Sequence, residues 1–127
     1  AVGTRERSEA YQWITFLTNS PQVDFWQYFR PEFYVPAERF DEYKTVMAAH
    51  MARHLGVLDA HLEGRDFMVG NQLSIVDFYL LLIGRWSRHI DPPTRSFPNI
   101  TRLLEKLCKL PSVTTTFARE NINTPYF

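Results

Sequence analysis

The clearest periodic pattern lies in residues 37–62. Apolar residues recur there every three or four positions, the spacing that places one side of an α-helix against a core. They are Phe40, Tyr43, Met47, Met51, Leu55, Leu58 and Leu62. Gly64 comes just after the last of them and suits a helix end, because glycine adopts left-handed backbone angles at little steric cost. The pattern predicts one long helix over residues 37–62.

Prolines and glycines divide the rest of the chain into helix-length pieces. A first helix is predicted over residues 4–20, where Pro21 interrupts it, and a short aromatic helix follows over residues 23–29. The segment RPEFYVP is predicted to be a loop. Two more helices are expected to start at Pro98 and Pro111, because proline fits the first turn of a helix.

No segment alternates between apolar and polar residues as a half-buried strand does. We therefore predict an all-α fold, a bundle of five or six helices that forms a single domain over residues 1–127. The last residues, NINTPYF, show no helical period and are expected to pack loosely or to be disordered.

The segment GNQLSIVDFYLLL predicts the start of a buried helix. Ser74 and Asp77 are spaced as a capping box, in which the serine hydroxyl accepts from the amide of residue 77 and the carboxylate accepts from the amide of Ser74. Leu73 and Phe78 occupy the two positions of a hydrophobic staple. The alternative, a serine nucleophile beside a carboxylate, lacks a nearby histidine base, so the pattern favours a structural role.

Composition narrows the classes of partner. The 14 basic and 14 acidic residues cancel, so neither nucleic acid nor an anionic membrane is indicated. The longest apolar run is too short to cross a bilayer. The single cysteine, Cys108, lies beside Leu104 and Leu107 and is expected to pack as a small apolar residue. With no internal disulfide possible and no signal peptide, a cytoplasmic location is expected.

Three histidines share one stripe of the long predicted helix. At about 100° per residue, His54 and His61 lie roughly 40° and 20° around the axis from His50. They could form a metal site, but His54 and His61 are two turns apart and the sequence has no HExxH motif. We predict no metal site. We expect these histidines to lie at the edge of the apolar face, at an interface or in contact with water.

An aromatic cluster follows the first predicted helix: Phe25, Trp26, Tyr28, Phe29, Phe33 and Tyr34. These side chains exceed what a small helical core needs. Core packing and an apolar ligand wall or partner surface both remain open.

The segment FMVGNQLSIVDFYLLLIGRWSRHI resembles the loop and buried central helix of the C-terminal domain of glutathione transferases. ERSEAYQWITFL and RPEF resemble the first helix and following loop of bacterial beta-class members, and FPNITRLLEKLCKLPSV resembles their last helices. The resemblance extends over residues 4–122.

This resemblance implies that two domains of the enzyme have different roles. Such enzymes bind glutathione, their co-substrate, largely through an N-terminal thioredoxin-like domain, and no βαβ pattern for that domain occurs in this sequence. That domain is expected to be missing, so no catalytic residue is assigned to this chain. The helical domain of the family supplies a wall of the pocket for an apolar electrophile and much of the contact in the homodimer.

The resemblance also assigns residues to the pocket. Trp86 is a pocket residue and Arg85 its neighbour, while Phe25 and Phe29 are expected to help hold the electrophile. Gln22 stands where beta-class members often have a histidine beside the reactive sulfur.

Thr15 stands where these enzymes have an asparagine that reaches the partner subunit's glutathione.

The resemblance leads to two functional hypotheses. The chain belongs to an enzyme that conjugates glutathione to apolar electrophiles, or it is a non-catalytic protein–protein interaction module with the same fold.

Overall fold

The computed structural model describes residues 3–127, which form an all-helical domain without a strand, as predicted. The six α-helices are α1 (Arg5–Asn19), α2 (Pro21–Phe29), α3 (Phe40–His61), α4 (Ile75–Trp86), α5 (Pro98–Leu107) and α6 (Pro111–Arg119). Three short 3-10 turns connect them, at Pro31–Phe33, Ala37–Arg39 and Thr94–Ser96. Over the same described residues, no helix combines the length and the apolar character that crossing a bilayer requires.

The helix boundaries follow the local signals in the sequence. Pro21 is buried as the first residue of α2, so the predicted interruption separates two helices. The long helix starts at Phe40, later than predicted, because the three residues before it form a 3-10 turn. Its end matches the prediction, with Gly64 at φ 67° in the turn that follows.

Helix α4 occupies the centre of the core and contacts α1, α2 and α5. Its residues Val76, Leu80 and Ile83 are fully buried. Gly84 allows α5 to approach closely, since a Cβ atom at this position would lie 2.5 Å from Cδ1 of Leu104. The order of helices thus places α2 and the end of α4 side by side.

The capping box at the start of α4 is present. Oδ2 of Asp77 accepts hydrogen bonds from the amide and the hydroxyl of Ser74, at 2.7 and 2.9 Å. The Ser74 hydroxyl in turn accepts from the amide of Val76 at 3.3 Å. The fully buried Asp77 also accepts from the amide of Met68 at 2.8 Å, so it fixes the preceding loop as well as the helix. Leu73 is exposed and Phe78 half-buried, and the staple between them stays a prediction.

The expectation of a loosely packed C-terminal tail is wrong. Phe127 is only 4% exposed, and Nε of Arg95 donates to its carbonyl oxygen at 2.8 Å. Nη1 of Arg85 donates to the carbonyl oxygen of Tyr126 at 3.2 Å, and the Tyr126 ring lies 4.7 Å from that of Phe117. The tail is held by aromatic burial and by two arginines distant in sequence, which leave no local periodic signal.

Candidate functional site

The main cleft opens where α2 meets the ends of α1 and α4, and its volume is about 650 Å³. Four residues that the sequence assigned to a pocket line it together: Gln22, Phe25, Phe29 and Trp86. The other lining residues are Thr18, Asn19, Val23, Trp26, Arg30 and Tyr34. Apolar side chains with a few polar groups are typical of a small-molecule site.

Aromatic rings form one wall of the cleft. Phe25 is buried at its base, nearly parallel to Phe29 at 6.2 Å and edge-to-face with Trp86 at 5.8 Å. Phe29 is 50% exposed, so its ring faces a ligand or solvent as well as Phe25. The aromatic cluster therefore combines both predicted roles. Phe25 packs in the core, while Trp26, Phe29, Phe33 and Tyr34 are exposed.

A polar group lies at the α1 end of the cleft. The Tyr79 hydroxyl of α4 donates to Oε1 of Gln22 and lies 3.1 Å from the hydroxyl of Thr18. This contact occupies the amide oxygen of Gln22 and leaves its nitrogen as a hydrogen-bond donor. Gln22 can orient a polar ligand atom but cannot act as a general base.

Arg30 is a cleft residue that no sequence motif predicted. Its Nε donates to Oε1 of Glu32 at 2.6 Å, and this hydrogen bond lowers the pKa of the Glu32 carboxyl. Its guanidinium carbon lies 5.6 Å from the ring centre of Trp26 and 4.9 Å from that of Phe33. The spacing of Trp26 and Arg30, four residues apart, is the signal that could have identified the contact.

Two assigned residues are not among the described residues that line the cleft. Thr15 is exposed on α1. Arg85 binds the tail carbonyl, and burial lowers the pKa of its guanidinium, with the cation of Arg88 adding to the effect. Their roles near glutathione and the electrophile stay predictions.

The histidine stripe does not converge on one point. Nε2 of His54 and Nδ1 of His50 lie 2.9 and 3.5 Å from the same oxygen of Asp24, between α3 and α2. His61 turns instead to the carbonyl oxygen of Met68, at 2.8 Å, and its ring packs on Trp13. Within residues 3–127 no group of three or more histidine, cysteine or acidic residues is placed to hold a metal ion. The contacts with Asp24 and Trp13 connect α3 to α2 and to α1.

Cys108 follows α5 and packs at the margin of the core. Burial raises the pKa of its thiol, which reduces the fraction of reactive thiolate. The expected packing role fits this environment.

Comparison with known proteins identifies the family. Residues 26–111 match the model of the glutathione S-transferase C-terminal domain, and the chain belongs to that family. Glutathione S-transferase GstA of Escherichia coli O157:H7 is 21% identical over 121 residues, which are 95% of this chain and 57% of that protein.

Solved structures agree with this assignment. A sphingomonad glutathione S-transferase complexed with glutathione is 26% identical, with a TM-score of 0.82, over 97% of this chain and 58% of that one. The bacterial beta-class enzyme of Sphingomonas chungbukensis is also 26% identical, with a TM-score of 0.77, over 97% of this chain and 58% of that one. The beta-class resemblance seen in the sequence is thereby confirmed. The chain spans less than three fifths of the length of these relatives, 57% and 58%.

Proposed function

We propose that this chain supplies the electrophile-binding wall of a glutathione transferase. The observation that carries the proposal is the cleft itself, in which Phe25, Phe29 and Trp86 form one aromatic surface beside Gln22. An aromatic electrophile fits this surface because apolar burial and ring stacking both favour it. Glutathione is the co-substrate, bound mainly by a thioredoxin-like domain that completes the site.

The chemistry divides between the two domains. Attack on the electrophile requires the glutathione thiolate, and lowering the pKa of a thiol needs a hydrogen-bond donor or a positive charge nearby. Gln22 offers an amide donor on the cleft side, and Thr15 is the residue assigned to the partner subunit's glutathione. The helical domain contributes positioning, which raises the rate by holding the reacting atoms in an attack geometry. We assign no catalytic residue to it.

The proposal includes the setting of the whole protein. We infer a homodimer in the reducing cytoplasm that uses no metal and binds neither nucleic acid nor membrane. Arg85 is proposed to hold the end of α4, and with it Trp86, through its bond to the Tyr126 carbonyl.

A second candidate function is a non-catalytic interaction module. The exposure of Trp26 and Phe33 favours it, because large aromatic side chains on a surface are typical of protein contacts. Gln22, which cannot act as a base, is also compatible with it.

Calorimetric titration with chlorodinitrobenzene, an uncharged aromatic electrophile, tests the first function. We expect saturable binding that weakens several-fold in Phe29→Ala, which removes the exposed ring that stacks on the buried Phe25. Val57→Ala is the control, because Val57 is an equally exposed apolar residue of α3 outside the cleft. With glutathione present, the chain alone should give no turnover above the uncatalysed rate.

Two results would overturn the proposal. Absence of binding, or equal weakening by both variants, would remove the electrophile pocket and leave the interaction module. Turnover by the chain alone would show that the division between the domains is wrong.

A further inference from the structure

We propose that the cleft selects aromatic ligands that carry an acidic group, a carboxylate or a sulfonate, and that Arg30 binds this group. The inference rests on the proposed function, since the ligand occupies the same cleft. It names a substrate class narrower than apolar electrophiles in general.

The charge of the cleft lining favours an acidic ligand. Among the described residues that line the cleft, Arg30 is the one with a formal charge, and the others are aromatic, aliphatic or neutral polar residues. The Arg30 side chain is 46% exposed, so the neighbouring apolar walls strengthen its attraction to an anion only in part and salt screens the remainder. A ligand with an aromatic body and one acidic group matches both features.

The side chain of Arg30 is held in place by its neighbours. The rings of Trp26 and Phe33 are nearly parallel, at 7° and 6.3 Å, and the guanidinium lies within cation–π distance of both. The amide of Arg30 donates to the carbonyl of Trp26 at 2.9 Å and ends α2. Binding an anion therefore costs less side-chain entropy than it does at a mobile surface arginine.

Arg30 also has hydrogen-bond donors left for a ligand. Arg30 uses Nε to bind Glu32, and its two terminal nitrogens have no hydrogen-bond partner among residues 3–127. A guanidinium binds planar or tetrahedral oxyanions through paired N–H donors, which these nitrogens provide. Glu32 is a half-exposed competitor outside the lining, so its carboxylate reduces the attraction without filling the cleft.

Two fluorescent probes that differ in one group test the inference. Phenylnaphthylamine is uncharged, and anilinonaphthalene sulfonate has the same ring system with one sulfonate. The measured quantity is the ratio of their dissociation constants on the 127-residue chain. We expect the sulfonate to bind several-fold more tightly, with the ratio falling as salt is added.

Three variants assign the effect to Arg30. Arg30→Gln should reduce the preference for the sulfonate about three- to tenfold, the range between an exposed ion pair and a hydrogen bond to a charged group. Glu32→Gln should increase the preference, because the competing carboxylate is gone. Arg39→Gln is the matched control, since Arg39 pairs with Glu42 at 3.1 Å on the surface and does not line the cleft.

The outcomes separate this inference from the proposed function. If both probes bind the chain and Arg30→Gln leaves their ratio unchanged, the cleft stands and the selection of acidic ligands is refuted. If neither probe binds, the pocket and the inference both fail. Circular dichroism checks the fold of each variant, and Glu32→Gln carries the test on its own if Arg30→Gln does not fold.

Discussion

At the scale of single residues, Asp77 shows how one buried carboxylate can serve two segments. Its two oxygens accept from the amide and hydroxyl of Ser74 and from the amide of Met68. The first two contacts start α4, and the third holds the loop that leads to it. A role in catalysis is not needed to explain a buried acidic residue here.

Replacing Asp77 should therefore cost more than losing an ordinary helix cap. We expect Asp77→Ala to lower the free energy of unfolding by about 2–4 kcal/mol, because the cap is lost and the amide of Met68 is left buried without a partner. Ser74→Ala should cost about 1 kcal/mol. Urea denaturation measures both, and Asp66→Ala, at an exposed aspartate, is the control. Equal losses for Asp77→Ala and Asp66→Ala would contradict this account.

At the scale of helices, α5 depends on a residue of α3. Its own N-cap, Phe97, has no side chain that can accept a hydrogen bond. Oδ1 of Asp59 accepts instead from the amides of Asn99 and Ile100, at 2.7 and 2.9 Å. The two helices are thus joined through a cap contributed by the neighbouring helix.

The cap from Asp59 should contribute to stability through its oxygen acceptor. We expect Asp59→Ala to destabilise the protein by about 1–2 kcal/mol, whereas Asp59→Asn should cost less because its amide oxygen can still accept. Amide hydrogen exchange should show faster exchange at the start of α5 in Asp59→Ala than in the unaltered protein. If the loss of protection lies elsewhere, or the asparagine variant is as unstable as the alanine variant, this capping role is wrong.

At the scale of the whole molecule, these cases show what the sequence could predict. The capping box of α4 and the helix starts at Pro98 and Pro111 were predictable, because their signals lie within a few residues. The cap from Asp59 joins residues 40 apart, and no local pattern announces it. The candidate site also has a predictable and an unpredictable part. Trp86 was predicted from a family motif, whereas the position of Arg30 depends on how Phe33 folds back over Trp26.

The C-terminal tail is the strongest case of a contact that local patterns miss. Phe127 is nearly fully buried, lies beside Gly84 of α4 and receives both a hydrogen bond and a cation–π contact from Arg95. Removing its ring should leave a cavity next to the central helix. We expect Phe127→Ala to lower the free energy of unfolding by about 3–5 kcal/mol.

Phe33→Ala is the matched control for this tail variant, because Phe33 is 63% exposed and its loss should change the stability little. The same control should weaken the preference for the sulfonated probe, since the Phe33 ring holds Arg30 in place. Thermal and urea denaturation measure the first effect and the probe titration the second. If Phe127→Ala lowers the free energy of unfolding as little as Phe33→Ala, the tail only rests on the surface of the domain. If the loss of stability is large, residues 126 and 127 belong to the core that supports α4. Through α4, they then also support Trp86 in the cleft.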